Sequence, residues 1–104
     1  MFGIYPESYK QMIEIIDSCK SIDEVIIYGS RAKANYREGS DIDITLKGNI
    51  TENDFRKLHN DLEESYIPYL FDISIYDKLS SESLKDHIDR VGKVFYKKEK
   101  QEFK

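Results

Sequence analysis

Three carboxylates and one Gly-Ser pair stand at a spacing that could do chemistry. Gly29-Ser30 is followed by ten residues and then by Asp41-Ile42-Asp43, and a third acid, Asp72, lies inside the apolar run FDISIY. A glycine turn lets backbone approach a phosphate closely. Alternation along an extended segment sends Asp41, Asp43 and Thr45 to one face and Ile42, Ile44 and Leu46 to the other. Magnesium prefers hard oxygen ligands, usually one or two carboxylates plus substrate phosphates. Three acids suffice for two ions, one activating an attacking oxygen and one clamping the leaving phosphates, so displacement at phosphorus needs no protein nucleophile. The pattern points to metal-bound nucleotide chemistry, with Asp41, Asp43 and Asp72 as both metal ligands and catalytic groups.

Neighbouring carboxylates on one strand face repel, and partial burial raises their pKa values unless a cation balances them. Ser30 and adjacent backbone N–H groups would hold terminal phosphates. Arg31, Lys33 and Arg37 crowd the interval before the acids, where they could receive a polyphosphate. Gly29, Ser30, Arg31, Lys33 and Ser40 are therefore the candidate nucleotide-binding residues.

These side chains need a frame. Val25 to Tyr28 reads as a short buried strand stopped by Gly29, and Ser30 can open a brief helix through about Ala34. Gly39-Ser40 marks a turn before the strand from Asp41 to Leu46. Tyr69 to Tyr76 alternates as a second acidic strand, with Asp72, Ser74 and Tyr76 on one face. Helical spacing predicts helices over residues 7–20 (Tyr9, Met12, Ile13, Ile16, Cys19 inward), from Thr51 to before Pro68 (Phe55, Leu58, Leu62 inward), and from Ser81 to Val91 (Leu84, Ile88, Val91 inward). Gly92 would end the last helix, and Lys93 to Tyr96 would add an edge strand. The expected fold class is α/β (α+β), a small mixed sheet with helices on one face, as one domain over residues 1–96 with a polar tail over 97–104.

Composition narrows the class. The chain has 104 residues, 39% hydrophobic and 35% charged, and no apolar run approaches the roughly 20 residues needed to span a bilayer. The net charge of −4 argues against a general nucleic-acid binder. The single cysteine, Cys19, cannot form an internal disulfide and falls on the apolar stripe of the first helix as buried filler. With no secretion signal at the start, a cytoplasmic setting is expected. His59 and His87 lack a partner at metal-ligand spacing and are read as helix-surface or core residues, outside the site.

The motif G-S-x10-D-x-D followed by a strand acid resembles the nucleotidyltransferase superfamily that includes polymerase beta and kanamycin nucleotidyltransferase, and within it the minimal nucleotidyltransferase (MNT) group. The likeness runs from the strand before Gly29, through GSRAK and SDID, to FDISIY and the closing HIDRVGKVFY. It implies a polymerase-beta palm-like fold and transfer of a nucleoside monophosphate, AMP from ATP, to a hydroxyl with Mg2+. By that likeness Gly29 and Ser30 match the phosphate-binding pair, Asp41 and Asp43 the metal ligands, and Asp72 the third acid. Ala34 departs from the pattern, since many relatives have glycine after the basic residue matched by Lys33.

Minimal members of the group work beside an all-helical HEPN-type protein, as antitoxins that adenylylate it, or beside a helical substrate-binding subunit. The resemblance thus implies a partner from a neighbouring gene and a homo- or hetero-oligomer. Three readings follow. The first is adenylyl transfer to a partner protein as an antitoxin; the second is transfer to a small hydroxylated molecule held by a separate subunit; the third is an antitoxin that acts by binding alone. No membrane and no direct nucleic-acid contact is expected in any of them.

Overall fold

The fold was obtained as a computed structural model, which describes residues 2–33 and 41–98. Four short strands rich in β-branched residues form one mixed sheet: β1 (Glu24–Tyr28), β2 (Ile42–Lys47), β3 (Phe71–Ile75) and β4 (Lys93–Lys97). Their order across the sheet is β3-β2-β1-β4. β1 runs antiparallel to β2 and to β4, while β2 and β3 are parallel. A parallel pair needs a long crossover. Here α2 (Glu52–Glu64) supplies it, with α1 (Pro6–Asp17) before the sheet and α3 (Glu82–Val91) before β4.

Helix starts follow local chemistry. Thr51 caps α2 by accepting from the Asp54 N–H at 3.1 Å, and Ser81 caps α3 by accepting from the Leu84 N–H at 3.2 Å. Pro6 occupies the first position of α1, where no intrahelical donor is needed. α1 is shorter than its periodicity predicts, because Ser18 and Cys19 turn away through bonds to the Ile15 and Ile16 carbonyls. Cys19 is nevertheless buried in the core, and burial pushes its thiol pKa up.

The main core lies on one face of the sheet. Val25, Ile27, Ile42, Ile44 and Leu46 pack there against Met12 and Ile16 of α1 and Leu58 and Leu62 of α2. Alternation sends Ile26 and Tyr28 to the opposite face, where they pack with Ile88 and Leu84 of α3. The mixed α/β class is as expected, but its helices do not all share one face: α1 and α2 cover the apolar face, and α3 covers part of the acidic one.

Two further details differ from the sequence reading. β3 ends at Ile75, and Tyr76–Lys78 forms a 3-10 turn. Gly92 is not a left-handed helix terminator, since its φ is −65°. Its lack of a side chain serves contact instead, because a Cβ there would lie 2.5 Å from the Ile88 carbonyl oxygen and 2.6 Å from Ile26 Cγ2. Lys97 belongs to β4, and residues 99–104 of the expected tail lie outside the described residues. Among the described residues no helix is long and apolar enough to cross a membrane.

Candidate active site

The register of three strands builds the site. Tyr28 of β1 pairs with Asp43 of β2, and Asp43 pairs with Asp72 of β3, so the three form one rung across the sheet. Paired residues point to the same face, and parallel neighbours are about 4.8 Å apart. The next rung on that face holds Ile26, Thr45 and Ser74. There the Ser74 hydroxyl donates to Thr45 Oγ1 at 2.9 Å, and the Thr45 hydroxyl donates to the Ser74 carbonyl at 3.4 Å. The fully buried Thr45 thus locks β3 to β2 directly beneath the acids.

At the end of β1 the chain turns through Gly29, whose φ of +75° is a left-handed conformation that favours glycine. Proximity adds a second demand. A Cβ on Gly29 would stand 2.5 Å from Asp43 Oδ2 and 3.5 Å from its Cγ, so the carboxylate rests against bare backbone. The Lys33 N–H bonds the Gly29 carbonyl at 3.3 Å, closing a single helical turn in place of the brief helix expected there. The backbone amides of that turn follow directly on Gly29, at the end of β1.

Electrostatics follow from this crowding. Burial, then the charges of Asp72 and Asp41, pushes the Asp43 carboxyl above its ordinary range, while His87 pulls it back. Burial likewise pushes the Tyr28 phenol up, opposed by a hydrogen bond with Ser74 and helped by the charges of Asp72 and Asp43. Asp41 precedes β2 and is exposed; Asp72 is exposed on an edge strand. Among the described residues no three His, Cys, Asp or Glu side chains are gathered closely enough to hold a metal ion by themselves. The donor set still fits magnesium in kind: hard carboxylate oxygens on adjacent strands, a carboxylate at Asp43 crowded by its acidic neighbours, and a clear approach where a Cβ at Gly29 would intrude. An ion that takes one or two carboxylates and completes its shell with phosphate and water needs no preformed cage.

Of the other candidates, Ser30 is half-buried in the turn and Lys33 is exposed at its end. Arg31 is not a surface charge: it is only 2% exposed. Its Nη1 donates to the Phe2 carbonyl at 3.0 Å and the Gly3 carbonyl at 3.2 Å, and the guanidinium lies 4.8 Å from the centre of the Tyr69 ring. Ser40, with Ala34, Tyr36 and Arg37, lies outside the described residues.

Two site neighbours were not singled out from sequence. Tyr28 immediately precedes Gly29, so alternation alone could have placed it on the acid face. His87 is brought in by α3, its ring edge-on to Tyr28 at 6.3 Å between centroids and its charge felt by Asp43. His59 is remote from the site and packs edge-on against Phe55 at 4.8 Å.

The family profile described as "Polymerase beta, Nucleotidyltransferase" matches residues 10–101, which includes both strands with acids and the glycine turn. Two solved structures share the fold. One, described as the crystal structure of the toxin-antitoxin with AMP-PNP, superposes with a TM-score of 0.69 at 17% identity, covering 86% of this chain and 73% of the other. The second is a mutant of the toxin-antitoxin MntA-HpeT carrying two Asp-to-Glu substitutions, with a TM-score of 0.66 at 15% identity and the same coverage of both chains. No protein of curated function matches the sequence significantly.

Proposed function

The chain belongs to the polymerase-beta nucleotidyltransferase family, and from that premise we propose that it transfers AMP from ATP to a hydroxyl of a partner protein, as the antitoxin of a toxin–antitoxin pair. The observation that carries the reading is the rung Tyr28–Asp43–Asp72 with Gly29 set against the Asp43 carboxylate. Family membership supports nucleotidyl transfer. The shared fold of two toxin–antitoxin structures, one with AMP-PNP, supports the nucleotide and the kind of partner.

Asp43 and Asp72, with Asp41 beside them, would hold Mg2+. Bound there, the ion supplies neutralisation of phosphate charge and a lowered pKa for the attacking hydroxyl. The chain's own residues do the rest. Backbone amides of the turn after Gly29, together with the Ser30 hydroxyl, receive the outer phosphates. Lys33, exposed at the end of that turn, adds positive charge as pyrophosphate leaves. Asp72 is exposed on the edge strand, so an acceptor hydroxyl can reach its carboxylate from solvent, and that carboxylate orients the hydroxyl and takes its proton.

The acceptor is assigned to a helical, HEPN-like product of the neighbouring gene, with the pair acting in the cytoplasm. Incubation of the folded protein with labelled ATP, magnesium and that product should label the partner on a hydroxyl side chain. Absence of label on any protein or small molecule, with both proteins folded, would overturn the assignment.

A further inference from the structure

Arg31 lies two residues past Gly29, where a basic residue would be expected to meet phosphate in solvent, yet it is buried. Burying a guanidinium is costly unless its donors find acceptors. Here the carbonyls of Phe2 and Gly3 converge on Nη1. To present both, Phe2 and Gly3 adopt φ values of 57° and 69°, and the left-handed region is one a bulky residue such as Phe2 avoids. Tyr69 completes the arrangement. Its ring lies against the guanidinium, its hydroxyl donates to the Gly3 carbonyl at 3.3 Å, and the same oxygen accepts from the Tyr5 N–H at 3.2 Å.

Three segments distant in sequence therefore meet at one side chain: the N-terminal arm of residues 2–5, the turn that carries Gly29 and Ser30, and the segment that enters β3. Tyr69 stands just before Leu70, whose carbonyl accepts the Ile42 N–H at 2.9 Å at the start of β2, and three residues before Asp72. We infer that Arg31 is a positioning residue: with Phe2, Gly3 and Tyr69 it forms a clasp that fixes the Gly29-Ser30 turn relative to the strand bearing Asp72. Its meaning for nucleotide transfer rests on the function proposed above, whereas the clasp itself is a property of the fold. A planar guanidinium can donate to two carbonyls while its face lies along a ring, a stacked geometry that the compact ammonium of lysine does not reproduce.

The test separates a clasp from a direct phosphate ligand by cutting the contact from its other end. Gly3 is exposed, so Gly3→Val alters the arm through its backbone, driving residue 3 out of the left-handed region and turning its carbonyl away from Arg31. Amide hydrogen exchange at Lys33 and Ile42, bonded to the Gly29 and Leu70 carbonyls, and equilibrium binding of AMP-PNP are measured in wild type, Arg31→Met, Arg31→Lys, Gly3→Val and the Arg31→Met/Gly3→Val double variant. A clasp predicts at least tenfold faster exchange at both amides and at least tenfold weaker AMP-PNP binding in each single variant, no rescue by lysine, and a double variant no worse than Arg31→Met alone. Wild-type exchange and affinity in Gly3→Val, or nucleotide affinity restored by lysine, would overturn it. Should Arg31→Met fail to fold, Gly3→Val and Tyr69→Phe apply the same test, the latter keeping the ring and removing only the hydroxyl. If wild type does not bind AMP-PNP, the function proposed above fails, while the exchange rates still decide the clasp.

Discussion

Asp43 and Asp72 stand directly opposite each other in the parallel pairing of β2 with β3. Two carboxylates on one rung, with Tyr28 beside them and Gly29 leaving no side chain between, concentrate negative charge on the sheet face that α3 covers in part. Replacing either acid with Asn keeps the shape and removes the charge. Loss of outer-shell groups at metal sites typically costs about 10–100-fold in activity. Asp43→Asn and Asp72→Asn should therefore each lower kcat/KM for transfer by more than about 100-fold while leaving the circular dichroism spectrum unchanged.

The same crowding has a consequence for stability. The folded state raises the Asp43 pKa above its ordinary value of 3.8, by burial first and then by Asp72 and Asp41. A raised acid binds its proton more tightly in the native state, so this contribution is fully present below pH 3.8 and is lost as pH rises through the folded value. Asp54 has the opposite sign: hydrogen bonds from Ser21 lower its pKa, so its contribution is present above the ordinary value and lost as pH falls. Asp43→Asn should gain denaturation midpoint relative to wild type as pH rises from 4 to 7. Asp54→Asn should lose midpoint relative to wild type as pH rises from about 2 to about 5. Urea titrations at each pH check both slopes.

Gly29 answers to two constraints, and mutation can separate them. Alanine there must adopt a φ of +75° and bring its Cβ to 2.5 Å from Asp43 Oδ2. The backbone penalty alone is about 1 kcal/mol, and the clash adds to it by forcing the carboxylate aside. In a Gly29→Ala/Asp43→Ala cycle the clash disappears and the backbone penalty remains. The double variant should thus be more stable than the sum of the two single losses implies, as read from chemical denaturation.

Much of the site was legible before any coordinates. Period-two alternation placed Asp43 on the polar face of β2 and Asp72 on that of β3, and the glycine turn announced itself by ending an apolar strand. The limits have physical causes. Helical spacing identifies the apolar stripe of α3 through Leu84 and Ile88, but not which side of the sheet it seals, so His87 was read as a helix-surface or core residue outside the site. Asp41 lies just before β2, where strand periodicity no longer fixes a direction. The burial of Arg31, read from sequence as a nucleotide-binding candidate, was not legible because the carbonyls of Phe2 and Gly3 that it meets are backbone groups that leave no mark in the sequence.

Gly92 tests whether α3 helps hold the acidic face in place. Its φ of −65° suits any residue, so alanine brings no backbone strain. A Cβ would nevertheless collide with the Ile88 carbonyl and Ile26 Cγ2, both fixed parts of the α3–β1 contact. Overpacking of this kind typically costs about 1–3 kcal/mol. Gly92→Ala should lose stability in that range, and nuclear magnetic resonance shifts at Tyr28 and His87 should move as α3 is displaced, because their rings are in edge-on contact.

Cation binding provides the last test, and it requires no acceptor. An ion that binds the folded state alone stabilises it by RT ln(1 + [L]/Kd), about 1.4 kcal/mol at tenfold excess over Kd. The Asp43 carboxylate, held against its neighbours' charge, is where that gain should arise. MgCl2 should raise the melting temperature of wild type in a saturable way, beyond NaCl of matched ionic strength, because general screening affects both alike. Asp43→Asn should begin at a melting temperature equal to or above that of wild type at neutral pH and gain nothing further from magnesium. An Asp43→Asn variant that responds to magnesium as wild type does would place the ion elsewhere and remove Asp43 from the ligand set.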